Sequence, residues 1–228
     1  VPIVSNTAKI IGVGVLVVGS VVCFASGWFW PGVALAAATV VVFAWAAVTF
    51  QRPALKVKSA ELTLRLLDAK GEVARFEKKQ EIVPVRRPLA DIRDRNLFTK
   101  GRLDDFEVAP GEIGERMSVG KYYIIKVVFA PPLAPGSPVT RRVAYNIYGA
   151  FTGEDVSFMF VGDYPTDDVI FRVEFPTERL PNRTRAYVKK EGRVPKPAEL
   201  RRSPDGAELE WRVSRLKPGV QYHLEWNW

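Results

Sequence analysis

Hydrophobic and polar positions follow two rhythms along this chain. From Ile10 to Phe50 there is no Asp, Glu, Lys or Arg. Inside that block Ile10–Gly27 and Val33–Phe50 are apolar runs of 18 residues each. As helices they would be about 27 Å long, close to the ~30 Å hydrocarbon core of a bilayer. Trp28-Phe29-Trp30-Pro31-Gly32 separates them, and Pro31-Gly32 breaks a helix. The pattern predicts a transmembrane α-hairpin with spans at about 10–28 and 32–50, and with Trp28, Trp30 and Arg52 at the membrane interface. A cleaved signal peptide accounts for the first run, where small residues surround Ser26, but not for a second run of equal length. A buried core hairpin would be too apolar for a domain of this size. Small residues at Gly12, Gly19, Cys23 and Ser26, then at Ala34, Ala38 and Ala44, suit packing of the hairpin on itself and leave a homo-oligomer open.

Beyond Gln51 the period changes to two. Ala60, Leu62, Leu64 and Leu66 alternate with Glu61, Thr63 and Arg65, and Asp68-Ala69-Lys70-Gly71 reads as a turn. A second strand runs from Glu72 toward Phe76. Further strands are expected at 82–85, 103–108, 122–129, 139–148, 156–161 and 169–175. The last two are the clearest. Leu209, Trp211 and Val213 share one face, and after Pro218-Gly219 so do Val220, Tyr222, Leu224, Trp226 and Trp228. Roughly ten strands and no long helix point to a mainly-β domain, an antiparallel sandwich or barrel of immunoglobulin/fibronectin-like or barrel topology. The expected organisation is a two-helix hairpin over 1–51 and a β-rich soluble domain over 52–228.

Charge refines this picture. The chain carries 33 Lys and Arg against 25 Asp and Glu, a net +8. That balance favours anionic partners such as lipid headgroups or nucleotides, and it equally serves solubility. Lys9 precedes the first apolar run, and Arg52, Lys56 and Lys58 follow the second, while the connecting turn is uncharged. The positive-inside rule then places the protein in the inner membrane, multi-pass, with the β domain in the cytoplasm. The lone Cys23 excludes an intramolecular disulfide and a cysteine metal site.

Candidate chemistry is sparse. His223 is the only histidine and lies on a polar strand face with Gln221, Glu225 and Asn227. No nucleophile elbow, Walker loop or dinucleotide fingerprint is present. Asp104-Asp105 and Asp163, Asp167 and Asp168 sit where turns are expected, a common role for Asp. An enzyme is not expected, nor a cofactor or metal. Five dibasic pairs stand out: Lys78-Lys79, Arg86-Arg87, Arg141-Arg142, Lys189-Lys190 and Arg201-Arg202. Adjacent strand residues face opposite ways, so each pair offers one cation to a given surface. Arg86, Arg87, Arg141 and Arg142 are the candidate ligand-binding residues.

Leu216-x-Pro218-Gly219-x-x-Tyr222 resembles the tyrosine-corner segment of fibronectin type III domains, which implies a packed Tyr222 tied to the preceding loop. In layout, an N-terminal hairpin, a basic β domain and no catalytic signature, the chain resembles the two-transmembrane, β-rich effectors of bacterial antiphage signalling. That resemblance implies a membrane-anchored, non-catalytic sensor or effector that binds an anionic ligand such as a cyclic nucleotide, or a protein partner, and not DNA. The alternative is a passive membrane-tethered adaptor for protein–protein interaction.

Overall fold

The computed structural model describes residues 55–97, 101–119, 122–190 and 195–228, all within one compact unit, Pro53–Trp228. Its strands are β1 (Leu55–Leu66), β2 (Val73–Pro84), β3 (Leu89–Leu97), β4 (Arg102–Ala109), β5 (Glu112–Val119), β6 (Tyr122–Leu133) and β7 (Val139–Tyr148). They continue with β8 (Asp155–Val161), β9 (Thr166–Glu174), β10 (Arg183–Lys189), β11 (Lys196–Ala198), β12 (Arg201–Arg202), β13 (Glu208–Leu216) and β14 (Gln221–Asn227). Three sheets result. The seven-stranded sheet has the order β12-β13-β9-β1-β2-β7-β4, the four-stranded sheet β11-β10-β14-β8 and the three-stranded sheet β3-β6-β5.

Each of these strands contains a charged residue, so no uncharged run long enough for a membrane helix exists here. Among the described residues no helix forms, and none is long and apolar enough to cross a membrane. The expected fold class, a transmembrane α-hairpin plus a β domain, is therefore corrected to all-β. The two apolar runs behind the hairpin, with Trp28, Trp30 and Arg52, lie outside the described residues. The membrane and transmembrane reading thus has no support in the structure. Multi-pass inner-membrane placement with a cytoplasmic domain falls with it, because that placement was read from those runs and their flanking charges.

Within the β domain the sheets keep open edges, which makes it a sandwich and not a barrel. Nor is it wholly antiparallel: β1 and β9 run parallel, from Val57 beside Thr166 to Arg65 beside Glu174. The chain leaves the large sheet after β7, builds β8 in the opposite layer and returns as β9 alongside β1. Such a crossover is what a parallel pair requires.

Period-two burial along β1 and β2 explains the core. Leu62, Leu64 and Leu66 point inward from β1, and Ala74, Phe76 and Ile82 from β2. Rings fasten the layers together. Phe171 on β9 meets Phe160 of β8 at 5.7 Å and Tyr222 of β14 at 5.9 Å. Phe106 of β4 stacks on Tyr123 of β6 at 5.5 Å. Of these, Phe171 and Tyr222 are buried and each stabilises the fold by about 2–3 kcal/mol relative to exposure, while Phe160, Phe106 and Tyr123 are partly buried. The β1–β2 turn is held by Asp68, whose carboxylate accepts from the backbone N–H groups of Lys70, Glu72 and Val73. Gly71 there has φ +73°, and a Cβ would lie 2.1 Å from the Phe151 carbonyl oxygen, so only glycine fits. Tyr222 is buried, and its hydroxyl accepts from the Lys217 N–H at 3.0 Å, the corner tie expected from its local motif.

The outer face of the large sheet is covered with cross-strand ion pairs. Arg172 on β9 reaches Glu61 on β1 and both Glu208 and Glu210 on β13. Arg142 on β7 donates to Glu77 on β2 at 2.7 Å and to Glu107 on β4 at 3.2 Å. Arg75 also reaches Glu107, at 2.6 Å.

Candidate functional site

Two places carry the polar chemistry of the domain, one between the layers and one on the outside. The inner one begins with β2, where Lys78 and Gln80 fall in phase with the core residues Phe76 and Ile82. Gln80 lies opposite Arg141 of β7, which therefore also points inward. From the other layer, Asp94 of β3 enters in phase with Ile92. Thr166 at the start of β9 completes the group. Among the described residues these are the five buried polar or charged side chains, and all five converge here.

Asp94 joins the layers. It accepts from the Lys78 ammonium through Oδ1 and from the Arg141 guanidinium through both oxygens. Arg141 also donates to Gln80 Oε1 at 3.2 Å. Burial opposes the ionisation of Asp94, but the charges and hydrogen bonds of Lys78 and Arg141 outweigh it and bring its pKa down to about 2. Burial pulls the Lys78 ammonium below the ordinary lysine value, against the attraction of Asp94. Beside this cluster lies a cavity of about 20 Å³, lined by Lys78, Gln80, Asp94, Tyr164 and Thr166 and by the Arg95–Asp163 ion pair. Burial, then the Asp163 charge, pushes the Tyr164 hydroxyl up to about 12. A space of that size takes one water-sized occupant, not an organic substrate. Removing one partner of such a cluster leaves an uncompensated charge in the core, so it clamps the three-stranded sheet to the seven-stranded one.

The outer place is the solvent side of the four-stranded sheet. On β10 Arg183, Arg185, Tyr187 and Lys189 point outward, opposite Asn227, Glu225, His223 and Gln221 of β14. Tyr187 and His223 stack at 4.6 Å with planes 7° apart, and the Arg185 guanidinium lies 4.8 Å from the Tyr187 ring centre. The Tyr187 hydroxyl donates to Glu225 at 2.6 Å. Burial lowers the His223 pKa despite the Glu225 carboxylate, so the imidazole is neutral near pH 7. An open groove of about 850 Å³ crosses this face, lined by Ser157, Arg183, Thr184, Arg185, Glu225 and Asn227 among others. Asp155 at its end accepts from Asn227 at 3.0 Å.

The residues singled out from the sequence do not form one site. Arg141 is buried in the clamp, while its neighbour Arg142 faces out into the ion-paired sheet surface. Arg86 and Arg87 lie on the exposed turn after β2. The opposite facing of adjacent cations holds for Lys78 and Lys79 as well, one buried and one exposed. His223 is half-buried in a ring stack and not freely solvated. Asp163 and Asp167 pair with Arg95 and Lys56, and Asp105 accepts from Tyr148 and Asn146. Among the described residues no group of three or more His, Cys, Asp or Glu is placed to hold a metal ion. Sequence reasoning missed Lys78, Gln80 and Asp94 as core residues, although their phase with Phe76, Ile82 and Ile92 was the available signal. It also missed Arg185 and Tyr187, whose partner strand is known only from the fold.

No family model matches the chain, and no curated protein does. Solved structures that resemble it include the M1 zinc metallopeptidase of Deinococcus radiodurans, at 13% identity and a TM-score of 0.41, over 75% of this chain and 42% of that one. A protein of Parabacteroides distasonis proposed to be a protease is similar at 10% identity and a TM-score of 0.44, over 77% of this chain and 40% of that one. The chain thus spans about two-fifths of the length of these structures. A likeness this distant carries no statement about activity.

Proposed function

We propose that the β domain is a non-catalytic recognition module that docks a protein partner on the outer face of its four-stranded sheet. One observation carries the reading: around the open groove, Arg183 and the Arg185–Tyr187–His223 stack stand outward with no ion pair of their own among the described residues. Arg and Tyr are the residues that supply binding energy at protein interfaces, because they combine large contact area with donor groups. The groove is open and holds charges of both signs, Arg183 and Arg185 beside Asp155 and Glu225. A small ligand is normally enclosed by an apolar-lined pocket, whereas an extended polypeptide surface with acidic and hydrogen-bonding groups complements a face of this kind.

The test is site-specific photo-crosslinking in the full chain. A crosslinking residue at Ser157 should capture one partner in the source cell, and one at Arg212 on the outer face of the large sheet should not. Arg183→Glu with Arg185→Glu should abolish the Ser157 adduct while leaving the melting temperature within a few degrees of the parent. Equal capture at both positions, or capture indifferent to the arginine changes, would remove the proposal.

A further inference from the structure

The clamp between the layers holds an unequal number of charges. Lys78 and Arg141 face the single carboxylate Asp94, and all three are buried. Widening the boundary to the cavity rim adds Arg95 and Asp163, which pair with each other and leave the excess unchanged. Among the described residues the charged side chains that line the cavity are Lys78, Asp94, Arg95 and Asp163, and Arg141 joins the group through Asp94. Among these described residues one positive charge is thus in excess, in a place where an uncompensated ion is costly. The donor count repeats the imbalance. The Lys78 ammonium has three N–H bonds and uses one on Asp94. The Asp94 oxygens already accept from Lys78 and from two guanidinium nitrogens. What the buried cluster lacks is therefore one further negative charge, and the cavity of about 20 Å³ next to Lys78 admits one occupant of about the size of a water molecule.

We propose that this cavity is a binding site for a single small monovalent anion of the halide class, held by the Lys78 ammonium and balancing Lys78 and Arg141 against Asp94. The ion completes the clamp. It stabilises the sandwich without taking part in recognition on the outer face, and the site is independent of the proposed docking function.

Thermal unfolding of the full chain tests the proposal in chloride, in bromide and in gluconate, an anion too large for the cavity, at equal ionic strength. Chloride and bromide should raise the melting temperature over gluconate, saturably, by about 3 °C at ten times the dissociation constant. Lys78→Met removes the excess cation and leaves Arg141 paired with Asp94, so it should erase the halide-dependent rise. If that variant does not fold, anomalous scattering from a bromide-soaked crystal of the parent protein decides: a peak within contact of Lys78 Nζ is expected. Equal melting in all three salts, a halide rise that persists in Lys78→Met, or ordinary water density without anomalous signal in the cavity would each overturn the proposal.

Discussion

Arg141 and Arg142 are neighbours on β7, yet they belong to two different kinds of electrostatics. Arg142 faces outward, where Glu77 and Glu107 neutralise it in a sheet-wide lattice of pairs open to water. Arg141 faces inward, 1% exposed, against a carboxylate that comes from another sheet. On the outside, water screens each pair and would solvate either partner left alone, so the pairs are nearly dispensable. On the inside nothing replaces a lost partner. The outward cations of the four-stranded sheet form a third case, with no carboxylate lattice around Arg183 and with Arg185 held over a ring. The same residue types therefore serve as clamp, coat or contact according to what faces them.

The sharpest way to break this comparison is to remove the shared carboxylate. Asp94→Ala leaves Lys78 and Arg141 buried and unpaired and should cost about 3–5 kcal/mol in urea unfolding. Replacing the whole cluster, Lys78→Met with Asp94→Leu and Arg141→Met, should recover most of that loss, since a packed apolar cluster substitutes well for a buried ionic one. A cluster that tolerated Asp94→Ala would be no clamp.

Acid offers the next largest effect. The folded pKa of Asp94, about 2, lies below its ordinary 3.8. A depressed carboxylate contributes stability that is fully present above the unfolded value and is lost as pH falls through the folded one. Between pH 4 and pH 2 the protein should therefore lose about 2 kcal/mol through this group. Unfolding midpoints of the parent measured against Asp94→Asn across that range isolate the contribution, because asparagine does not titrate.

Smaller effects are expected outside. Arg172→Met removes a half-exposed hub that links Glu61, Glu208 and Glu210, and should cost about 1 kcal/mol, reduced by salt. Arg142→Ala should cost about 0.5 kcal/mol or less by the same measurement. Arg183→Ala, with no pair to lose among the described residues, should leave stability unchanged to within about 0.5 kcal/mol while weakening partner capture at Ser157. An Arg183 change that destabilised the fold as much as Asp94→Ala would merge the third case with the first.

The legible parts of the fold were those where apolar residues keep strict alternation. β7, β9, β13 and β14 stand close to where the period places them, and the turn at Asp68–Gly71 follows from its residues. β2 was read in two pieces, ending at Phe76 and resuming at Ile82, although it runs unbroken from Val73 to Pro84. The gap holds Lys78 and Gln80, polar residues on the inward face. β3 was not expected at all, because Asp94 interrupts its apolar face in the same way. The clamp was thus hidden by its own composition: charges in core positions erase the signal by which a strand is recognised. The parallel β1–β9 pair left no local trace either, since strand direction in a sheet is settled by the crossover and not by any one segment.

By itself the sequence determined what depends on neighbours within a few residues: the period-two strands, the Asp68 turn, the corner at Tyr222 and the opposite facing of Lys78 from Lys79 and of Arg141 from Arg142. The tertiary structure alone decided which cation meets which anion, because Asp94 lies 47 residues from Arg141 and in another sheet. Pairing energy depends on distance and solvent in space, and a linear chain encodes both only after the layers have closed.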